Sequence, residues 1–279
     1  MTRQQKTIGV RRAAALGAVQ GLTEFLPVSS SAHTVLLSRL MRWPRHSLDV
    51  DIVLHLGCLA GLLAALRHDW LALLQGAAAG NALPLLWVAV ACLPAVVAGV
   101  LVEGPARACF RRPWQVAALT LLMGGVLIAV DQFRPAAGVH WQPGGRDAVV
   151  VGLAQALAFL PGVSRSGITI AAGVVAGLSL PAAVRFSFLL GVPILAGAGV
   201  WGLRDLPRRG IPRQQRLPLA VGFAVSAVVG YAAAAWMLRA VAHLGLTPFG
   251  VYRVVLGLLL LRGSTAESPT GTTLPPDPD

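Results

Sequence analysis

The chain has 279 residues, of which 56% are hydrophobic and 12% are charged, and its formal net charge is +12. The charged fraction is about half that of an ordinary soluble domain, so the composition excludes a soluble globular protein and indicates a polytopic membrane protein. The basic residues lie singly or in short clusters between apolar segments, as orientation signals do, and no nucleic-acid partner is expected.

The first apolar stretch, residues 8–26, ends at Pro27. Proline lacks an amide donor and restricts the residue before it, so a helix that begins upstream must end there. Ser29 or Ser30 can cap a second helix that runs to about Leu40. Each arm is shorter than the ~20 residues that a bilayer crossing needs, which predicts a re-entrant hairpin.

Three apolar segments that are each long enough to cross a bilayer follow at about 50–66, 82–102 and 114–130. The stretch 70–79 is too short to cross and is expected at the membrane interface or against the helix bundle. The segment after Asp131 is rich in proline, glycine and polar residues. It predicts an exposed loop that separates two halves of the chain.

A second helix, break and helix are predicted at about 148–180, with the break at Pro161 and Gly162. Three further predicted spans follow at about 183–201, 217–238 and 245–261. The last part of the chain, 263–279, is polar and proline-rich without an apolar run, so a disordered tail is expected there. Residues 1–262 are expected to form a single membrane domain.

The two broken segments resemble each other at a constant offset of 135 residues, GAVQGLTEFLPVSSSAHT from Gly17 and GLAQALAFLPGVSRSGIT from Gly152. Beyond these two glycines, six pairs of positions are identical: Gln20 and Gln155, Leu22 and Leu157, Val28 and Val163, Ser29 and Ser164, Ser31 and Ser166, and Thr34 and Thr169. Such paired broken segments are typical of duplicated membrane elements. Repeat one is placed at about 8–130 and repeat two at about 147–261.

Three spans separate the two broken segments, so these must enter the membrane from opposite faces and the repeat is inverted. The predicted fold is an all-α polytopic membrane protein with an inverted repeat, six transmembrane spans and two re-entrant helical hairpins. Sixteen Lys and Arg residues then lie on the side of both termini and five on the other, which predicts cytoplasmic termini. The five include Arg185 and Arg239, which are interpreted as loop charges.

Glu24 and His33 in the first hairpin and Arg165 in the second are ionisable groups in apolar surroundings. Such a group costs at least about 2.5–3.5 kcal/mol on insertion scales, so each needs a functional or structural reason. The free amides of opposed helix ends favour an anion, and the planar fork of Arg165 suits a phosphate. Neutral donors surround this arginine in the sequence: Ser164, Ser166, Thr169 and the Gly162 backbone.

Ser30 and His33 are three residues apart, so they share a helix face and the imidazole can reach the hydroxyl that it would deprotonate. Glu24, across the break, can act as acid or base, orient the imidazole, or hold a divalent cation with the Gln20 amide. These three roles stay open at this point.

Four polar residues outside the hairpins are also considered. Asp51 and His55 form either a supporting pair near the site or a pair at the membrane interface. Tyr252 and Arg253 lie near the start of the last span, where a snorkelling side chain is expected in preference to a contact with substrate phosphate.

At these residues the sequence resembles the undecaprenyl-diphosphate phosphatases, the bacitracin-resistance family of bacterial inner-membrane enzymes. The family motif (E/Q)xxxE reads Gln20-Gly-Leu-Thr-Glu24, and FLPVSSxxH continues directly to His33. The motif PGxSRSxxT runs from Pro161 to Thr169. Weaker similarity extends the match from about residue 10 to 261.

The resemblance implies removal of the terminal phosphate from undecaprenyl diphosphate, which recycles the lipid carrier for peptidoglycan synthesis and confers bacitracin resistance. It implies an active site on the outer side of the inner membrane and dependence on a divalent cation, Mg²⁺ or Ca²⁺, at Glu24 and Gln20. A homodimer is one candidate assembly. The catalytic positions are Glu24, Ser30, His33 and Arg165. The substrate-binding positions are Gln20, Ser29, Ser31, Gly162, Ser164, Ser166 and Thr169.

The chain departs from the common family pattern at Gln20, where many members have Glu, so that metal binding depends more on Glu24. Ala32 replaces a common Gly, Asp51 a common Glu and His55 a common Gln. In one mechanism Ser30, deprotonated by His33, attacks the terminal phosphorus; in the other, a water activated by Glu24 and His33 attacks. The sequence does not choose between them.

Two other functions are weighed. A lipid flippase or transporter shares the architecture of inverted repeats and broken helices, and would use the same residues as a proton relay and an anion site. A phosphatase of the phosphatidate type also uses Ser-x-His and Ser-Arg elements, but its further basic motif and its second His with Asp are not found in the sequence.

Overall fold

The computed structural model describes residues 8–43, 47–109, 112–134, 140, 142–204 and 210–265. Within these residues the chain is helical, without a strand, and its one β-type pairing is an isolated parallel bridge between His140 and Leu178. The helices are α1 Val10–Phe25, α2 Ser30–Leu40, α3 Leu48–Ala65, α4 Arg67–Ala78, α5 Leu83–Cys109, α6 Pro113–Phe133, α7 Gly145–Ala156, α8 Arg165–Ala176, α9 Leu180–Leu203, α10 Arg213–Leu244 and α11 Thr247–Thr265. A short 3₁₀ turn, Leu157–Phe159, follows α7.

Both predicted breaks are confirmed. The chain leaves α1 in an extended conformation at Leu26, and α2 begins after Ser29, whose Oγ accepts a hydrogen bond from the Ala32 amide at 3.5 Å. In the second segment, α8 begins after Ser164, whose Oγ accepts from the Gly167 amide at 3.3 Å. The Ser29 cap is as the sequence predicts, and Ser164 caps the second arm in the same way.

Five helices are long and apolar enough to cross a membrane: α3, α5 through Leu101, α6, α9 and α10. They match the spans predicted at 50–66, 82–102, 114–130, 183–201 and 217–238. The sixth predicted span, 245–261, is helical as α11 but is not among these five helices. The inverted repeat and the total of six spans stay predictions.

Small residues allow close packing of α1 and α3 against α10. A Cβ atom added to Gly17 of α1 would lie 2.6 Å from the Gly222 carbonyl oxygen, and one added to Gly57 of α3 would lie 2.5 Å from the Phe223 carbonyl oxygen. Neither distance is tolerable for a real side chain, so these backbones approach each other only because both positions are glycine. This packing places α1, which carries Gln20 and Glu24, against the membrane-length helices.

The helix α11 is held along α6. Gly124 of α6 and Gly250 of α11 face each other, because a Cβ atom on either would lie 2.8 Å from the carbonyl oxygen of the other. At the start of α11, both the amide and the hydroxyl of Thr247 donate to Asp131 Oδ2, at 2.9 and 2.6 Å. These contacts determine where the side chains of α11 enter the bundle.

Two arginines that were predicted to lie in loops lie in helices. Arg185 and Arg239 lie within α9 and α10 and not in loops: Arg185 falls inside the span predicted at 183–201, and α10 continues past the predicted end at 238. The exposed Arg185 pairs with Asp69 of α4. The stretch 70–79 is accordingly part of a helix that an ion pair links to α9.

The loop between the halves is only partly described, since residues 135–139 and 141 lie outside the described residues. His140 donates its amide to the Gly177 carbonyl at 3.1 Å, and its carbonyl accepts from the Ser179 amide at 2.9 Å. Its Nε2 lies 2.8 Å from Asp147 Oδ2. The exposed loop predicted after Asp131 is thus attached to repeat two at this residue. The predicted disordered tail from 266 onward lies outside the described residues.

Candidate active site

An ion pair joins the two broken segments. Arg165, the first residue of α8, donates from Nη2 to Glu24 Oε1 in the last turn of α1, at 3.1 Å. The two side chains are 11% and 9% exposed, so the pair is largely shielded from solvent. The structure therefore brings the acidic and the basic hairpin together, as the sequence predicts, over 141 residues of intervening chain.

The second carboxylate oxygen of Glu24 accepts two further hydrogen bonds. Gln20 Nε2 donates to Oε2 at 2.9 Å, and the Ser30 hydroxyl donates to it at 3.2 Å. His55 lies next to this group, because its Nε2 is 3.1 Å from Gln20 Nε2 and 3.9 Å from Glu24 Oε2. Glu24 is thus the centre of a polar cluster. His55, for which the sequence allowed a place either near the site or at the membrane interface, is adjacent to the site.

His33 does not contact the Ser30 hydroxyl in this structure. Its Nδ1 lies 2.7 Å from the Ser29 carbonyl oxygen, which can only accept, so this nitrogen carries the proton in the neutral ring. Its Nε2, 2.6 Å from the Tyr252 hydroxyl, is then the acceptor. The expected Ser30–His33 hydrogen bond is absent because both ring nitrogens are used elsewhere, and the Ser30 proton points to Glu24.

The predicted substrate-binding hydroxyls mostly bond to protein groups. Ser31 Oγ accepts from the Gly162 amide at 3.2 Å, and Ser166 Oγ donates to the Leu26 carbonyl at 3.2 Å, so each break is bonded to the other. Thr169 is buried, with Oγ1 bonded to the Arg165 carbonyl at 2.8 Å and to Ser187 Oγ at 2.6 Å. These residues determine the geometry of the site.

Ser29 and Ser164 have unusual backbones. Their φ angles are 74° and 71°, in the left-handed region that non-glycine residues rarely adopt. Each Oγ also lies close to the hydroxyl two residues later, at 3.1 Å from Ser31 and 3.2 Å from Ser166. Backbone strain of this kind persists only when the surroundings over-determine it, and it is concentrated at functional sites.

Arg165 has a donor that is not used by the protein. Its Nη1 is buried and makes no hydrogen bond to any residue that the structure describes. It lies against Gly191 of α9, where any side chain would occupy the same space. A buried guanidinium donor without an acceptor is costly, so this position fits an anionic oxygen from a ligand.

Arg253 is the site residue that the sequence interpretation missed. The expected snorkelling is wrong: the side chain has no exposed surface and its guanidinium contacts backbone carbonyls near both breaks. The available signal was its position inside an otherwise apolar segment, because an ionisable residue at such a place is a functional candidate by default. Tyr252, its neighbour, was likewise not assigned to the site and bonds to His33.

Glu24 and Gln20 are the predicted ligands of a divalent cation. The described residues contain no group of three or more His, Cys, Asp or Glu side chains that could hold a metal ion. Glu24 and Gln20 are adjacent and can offer a carboxylate and an amide oxygen. Mg²⁺ is commonly held by one or two carboxylates together with substrate phosphates, so this pair fits a cation that binds with a phosphorylated substrate.

Comparison with known proteins gives a consistent result. The sequence model of the family described as "Bacitracin resistance protein BacA" matches residues 13–259. A Geobacter metallireducens protein named undecaprenyl-diphosphatase is 43% identical over 254 residues, which cover 88% of this chain and 94% of the relative. Proteins of the same name from Geobacter sulfurreducens and Thermomicrobium roseum are 42% and 40% identical, over 89% and 91% of this chain and 96% and 98% of their own length. The matched region contains all the residues of the candidate site.

Proposed function

Because the chain belongs to the bacitracin resistance protein BacA family, we propose that it is an undecaprenyl-diphosphatase, which hydrolyses undecaprenyl diphosphate to undecaprenyl phosphate and inorganic phosphate. The similar proteins described above are named for this activity and match nearly the whole chain. The activity regenerates the lipid carrier for peptidoglycan synthesis, and removing the diphosphate lipid accounts for the resistance in the family's description.

Within the site, the main support for this function is the ion pair between Glu24 and Arg165. Its carboxylate accepts from a serine hydroxyl, and its guanidinium keeps one buried donor, Nη1, without an acceptor among the described residues. A diphosphate oxygen is a suitable acceptor for that donor. The site thus places a nucleophile, a base and a phosphate-binding group within one cluster of contacts.

The geometry favours Ser30 as nucleophile and Glu24 as its base. The Ser30 hydroxyl already donates to Glu24 Oε2, whereas His33 is bonded elsewhere. In the first step, the proton of Ser30 passes to Glu24, the Ser30 oxygen bonds to the terminal phosphorus, and the bridging P–O bond breaks with its electrons on undecaprenyl phosphate. Binding of the diphosphate to Arg165 weakens its ion pair with Glu24 and makes the carboxylate a better base.

In the second step, water attacks the phosphoserine and releases inorganic phosphate. The proton taken in the first step leaves with the lipid phosphate, so Glu24 can accept a proton from the water and return one to the Ser30 oxygen. His33 supports the nucleophile indirectly, because its ring binds the carbonyl of Ser29, the residue before Ser30. This assignment replaces His33 by Glu24 as the group that deprotonates the serine.

A divalent cation, Mg²⁺ or Ca²⁺, would be held by Glu24 and Gln20. When bound, it would neutralise charge on the diphosphate. The hydrogen bond of 2.9 Å between these side chains keeps both next to the Ser30 hydroxyl, where the phosphate must lie for attack. The adjacent His55 is an additional polar group at the same place.

We propose that the protein lies in the bacterial inner membrane, with both termini cytoplasmic and a site that opens to the outer side. The excess of Lys and Arg on the terminal side supports this orientation. The excess remains large if Arg185 and Arg239, now found within helices, are left out of the count. The homodimer stays a prediction.

Phosphate release by the purified protein in detergent tests the proposed function. Undecaprenyl diphosphate is the substrate, assayed with and without EDTA, and a shorter prenyl diphosphate measures the chain-length preference. Wild type is expected to release phosphate, EDTA to suppress release, and Glu24→Gln to slow it by about 10²–10⁴-fold because it removes the base. Arg239→Ala, an exposed position on α10, is the matched control and should keep full activity.

A detergent solution has no two compartments, so transport cannot account for released phosphate. Absence of release by folded wild-type protein would rule out the phosphatase. Wild-type rates in the Glu24→Gln variant would instead remove Glu24 from the chemistry and leave the activity standing.

A further inference from the structure

Arg253 of α11 is a buried cation that is bonded only to backbone carbonyls. Its side chain has no exposed surface, and its hydrogen bonds to the described residues all go to backbone carbonyl oxygens. Burial of a guanidinium is expensive unless all its donors are satisfied. Its presence in the last apolar helix therefore needs a specific reason.

The donors of Arg253 reach both breaks at once. Nη1 donates to the Pro27 carbonyl at 3.2 Å, and Nη2 donates to the Gly162 and Val163 carbonyls at 2.5 and 3.2 Å. Nε donates to the Thr120 carbonyl of α6 at 3.3 Å. One side chain thus connects the two broken segments to each other and to the helix that supports α11.

The bonded carbonyls occupy matching places in the two segments. Pro27 and Gly162 are related by the offset of 135 residues that relates the two motifs. The same offset relates Arg253 to Ala118 of α6, so repeat one has no arginine at the corresponding position. A single side chain from repeat two therefore serves both breaks.

These carbonyls lie directly upstream of the two strained serines. Pro27 precedes Ser29 by two residues, and Val163 precedes Ser164 by one. A left-handed backbone at a non-glycine residue persists only where its surroundings hold it, and the guanidinium supplies fixed donors on both sides. The residues that follow these serines are Ser30 and Arg165.

We propose that Arg253 is a positioning residue, which sets the separation of the two breaks and thereby places Ser30 and Arg165 on either side of one diphosphate. The inference rests on the proposed phosphatase function. Lysine carries the same charge but only a single ammonium, so it cannot bond to carbonyls on both breaks and on α6 together. The arrangement therefore requires the several donors of the planar guanidinium group and not only its positive charge.

The first test is kinetic and uses the full-length protein in detergent. Arg253→Lys and Arg253→Gln are compared with Arg239→Lys, a matched change at an exposed arginine of α10. Both Arg253 variants should lose about 100-fold in kcat, with KM changed only a few-fold, since a small misplacement of reacting groups costs about that factor. Arg239→Lys should behave as wild type.

Three kinetic results would overturn the inference. Retention of kcat in Arg253→Lys would mean that charge alone suffices. A rise in KM with kcat unchanged would make Arg253 a binding group for the lipid. A lower melting temperature with unchanged kcat and KM would make it a stabilising residue only.

The second test does not depend on activity. Amide hydrogen exchange is measured without substrate in peptides that cover residues 26–33 and 157–168. Exchange should become at least about tenfold faster at both breaks in the Arg253 variants and stay unchanged in Arg239→Lys, because the carbonyls of each break lose the guanidinium donor that holds the segment in place. Unchanged exchange, or faster exchange at one break only, would overturn the inference. If wild type released no phosphate, the proposed function would fail, while the exchange data would still decide whether Arg253 links the breaks.

Discussion

The two breaks have the same backbone arrangement and different chemistry. Ser29 and Ser164 share a left-handed φ of 74° and 71°, and the helices that follow begin at Ser30 and Arg165, which are again related by 135 residues. The nucleophile candidate and the phosphate-binding arginine therefore occupy equivalent positions in two copies of one motif. A short helix–break–helix element can thus be used twice, with a different functional residue at the start of its second helix.

The remaining differences lie around these first helical residues. Glu24 corresponds to Phe159 and His33 to Ile168, so the acid and the imidazole belong to the first break only. The glutamine that both motifs share also has a different role in each segment. Gln20 donates to Glu24 at 2.9 Å, whereas Gln155 donates to the Ala91 carbonyl at 3.1 Å and supports packing against α5. The unshared residues Glu24, Ser30 and Arg165 thus carry most of the proposed chemistry, whereas the shared serines mainly form the two breaks.

Removal of the proposed nucleophile in the first break should have the largest effect on activity. Ser30→Ala is expected to lower kcat by about a thousandfold or more, as loss of a nucleophile that acts together with its base does. Rapid-quench trapping of a labelled phosphoenzyme should succeed in wild type and fail in this variant. Full activity in Ser30→Ala would eliminate the covalent mechanism and leave attack by an activated water.

The equivalent position in the second break should give the next largest effect. Arg165→Ala removes the donors to the phosphate and should cost about 10²–10³-fold in kcat/KM. Arg165→Lys should recover only part of this loss, because an ammonium cannot replace the planar fork. Circular dichroism checks that both variants fold. Equal activity of the Lys variant and wild type would show that a point charge is sufficient.

The hydrogen bond between Tyr252 and His33 predicts a smaller effect. Tyr252→Phe removes a neutral hydrogen bond to Nε2, so kcat should fall by about three- to tenfold. Tyr231→Phe, an exposed tyrosine on α10, is the control. If His33 were the base for Ser30, loss of the competing tyrosine would free Nε2 and raise the rate. Comparing kcat of the two variants therefore distinguishes Glu24 from His33 as the base.

The breaks themselves were predictable from sequence because their causes are local. Pro27 ends α1, and the serines at 29 and 164 cap α2 and α8, so neither feature depends on distant contacts. Most of the spans follow from apolar runs for the same reason. The two motifs also indicated that Glu24 and Arg165 belong together, since opposed breaks bring helix ends into one place.

The parts that could not be predicted depend on contacts across the bundle. An arginine in an apolar segment can reach the interface or face inward, and only the packing of α11 along α6 directs Arg253 to the breaks. The spacing of Ser30 and His33 places them on one face but does not determine the ring orientation, which the Ser29 carbonyl decides. The ion pair of Arg185 with Asp69 likewise depends on how α4 packs near α9, which the sequence does not give.

Substitutions at the two strained serines should have the smallest effect and test whether the breaks are equivalent. Ser29→Gly and Ser164→Gly lose the cap but gain a residue that adopts a positive φ freely, so the free energy of unfolding should change by less than about 1 kcal/mol. Alanine loses the cap without relieving the strain that serine already bears, and should cost about 0.5–2 kcal/mol at either position. Thermal melting of the four variants in detergent measures both differences. Since Arg253 bonds to a carbonyl two residues before each serine, the two breaks should respond alike, and an alanine penalty at one break only would contradict their equivalence.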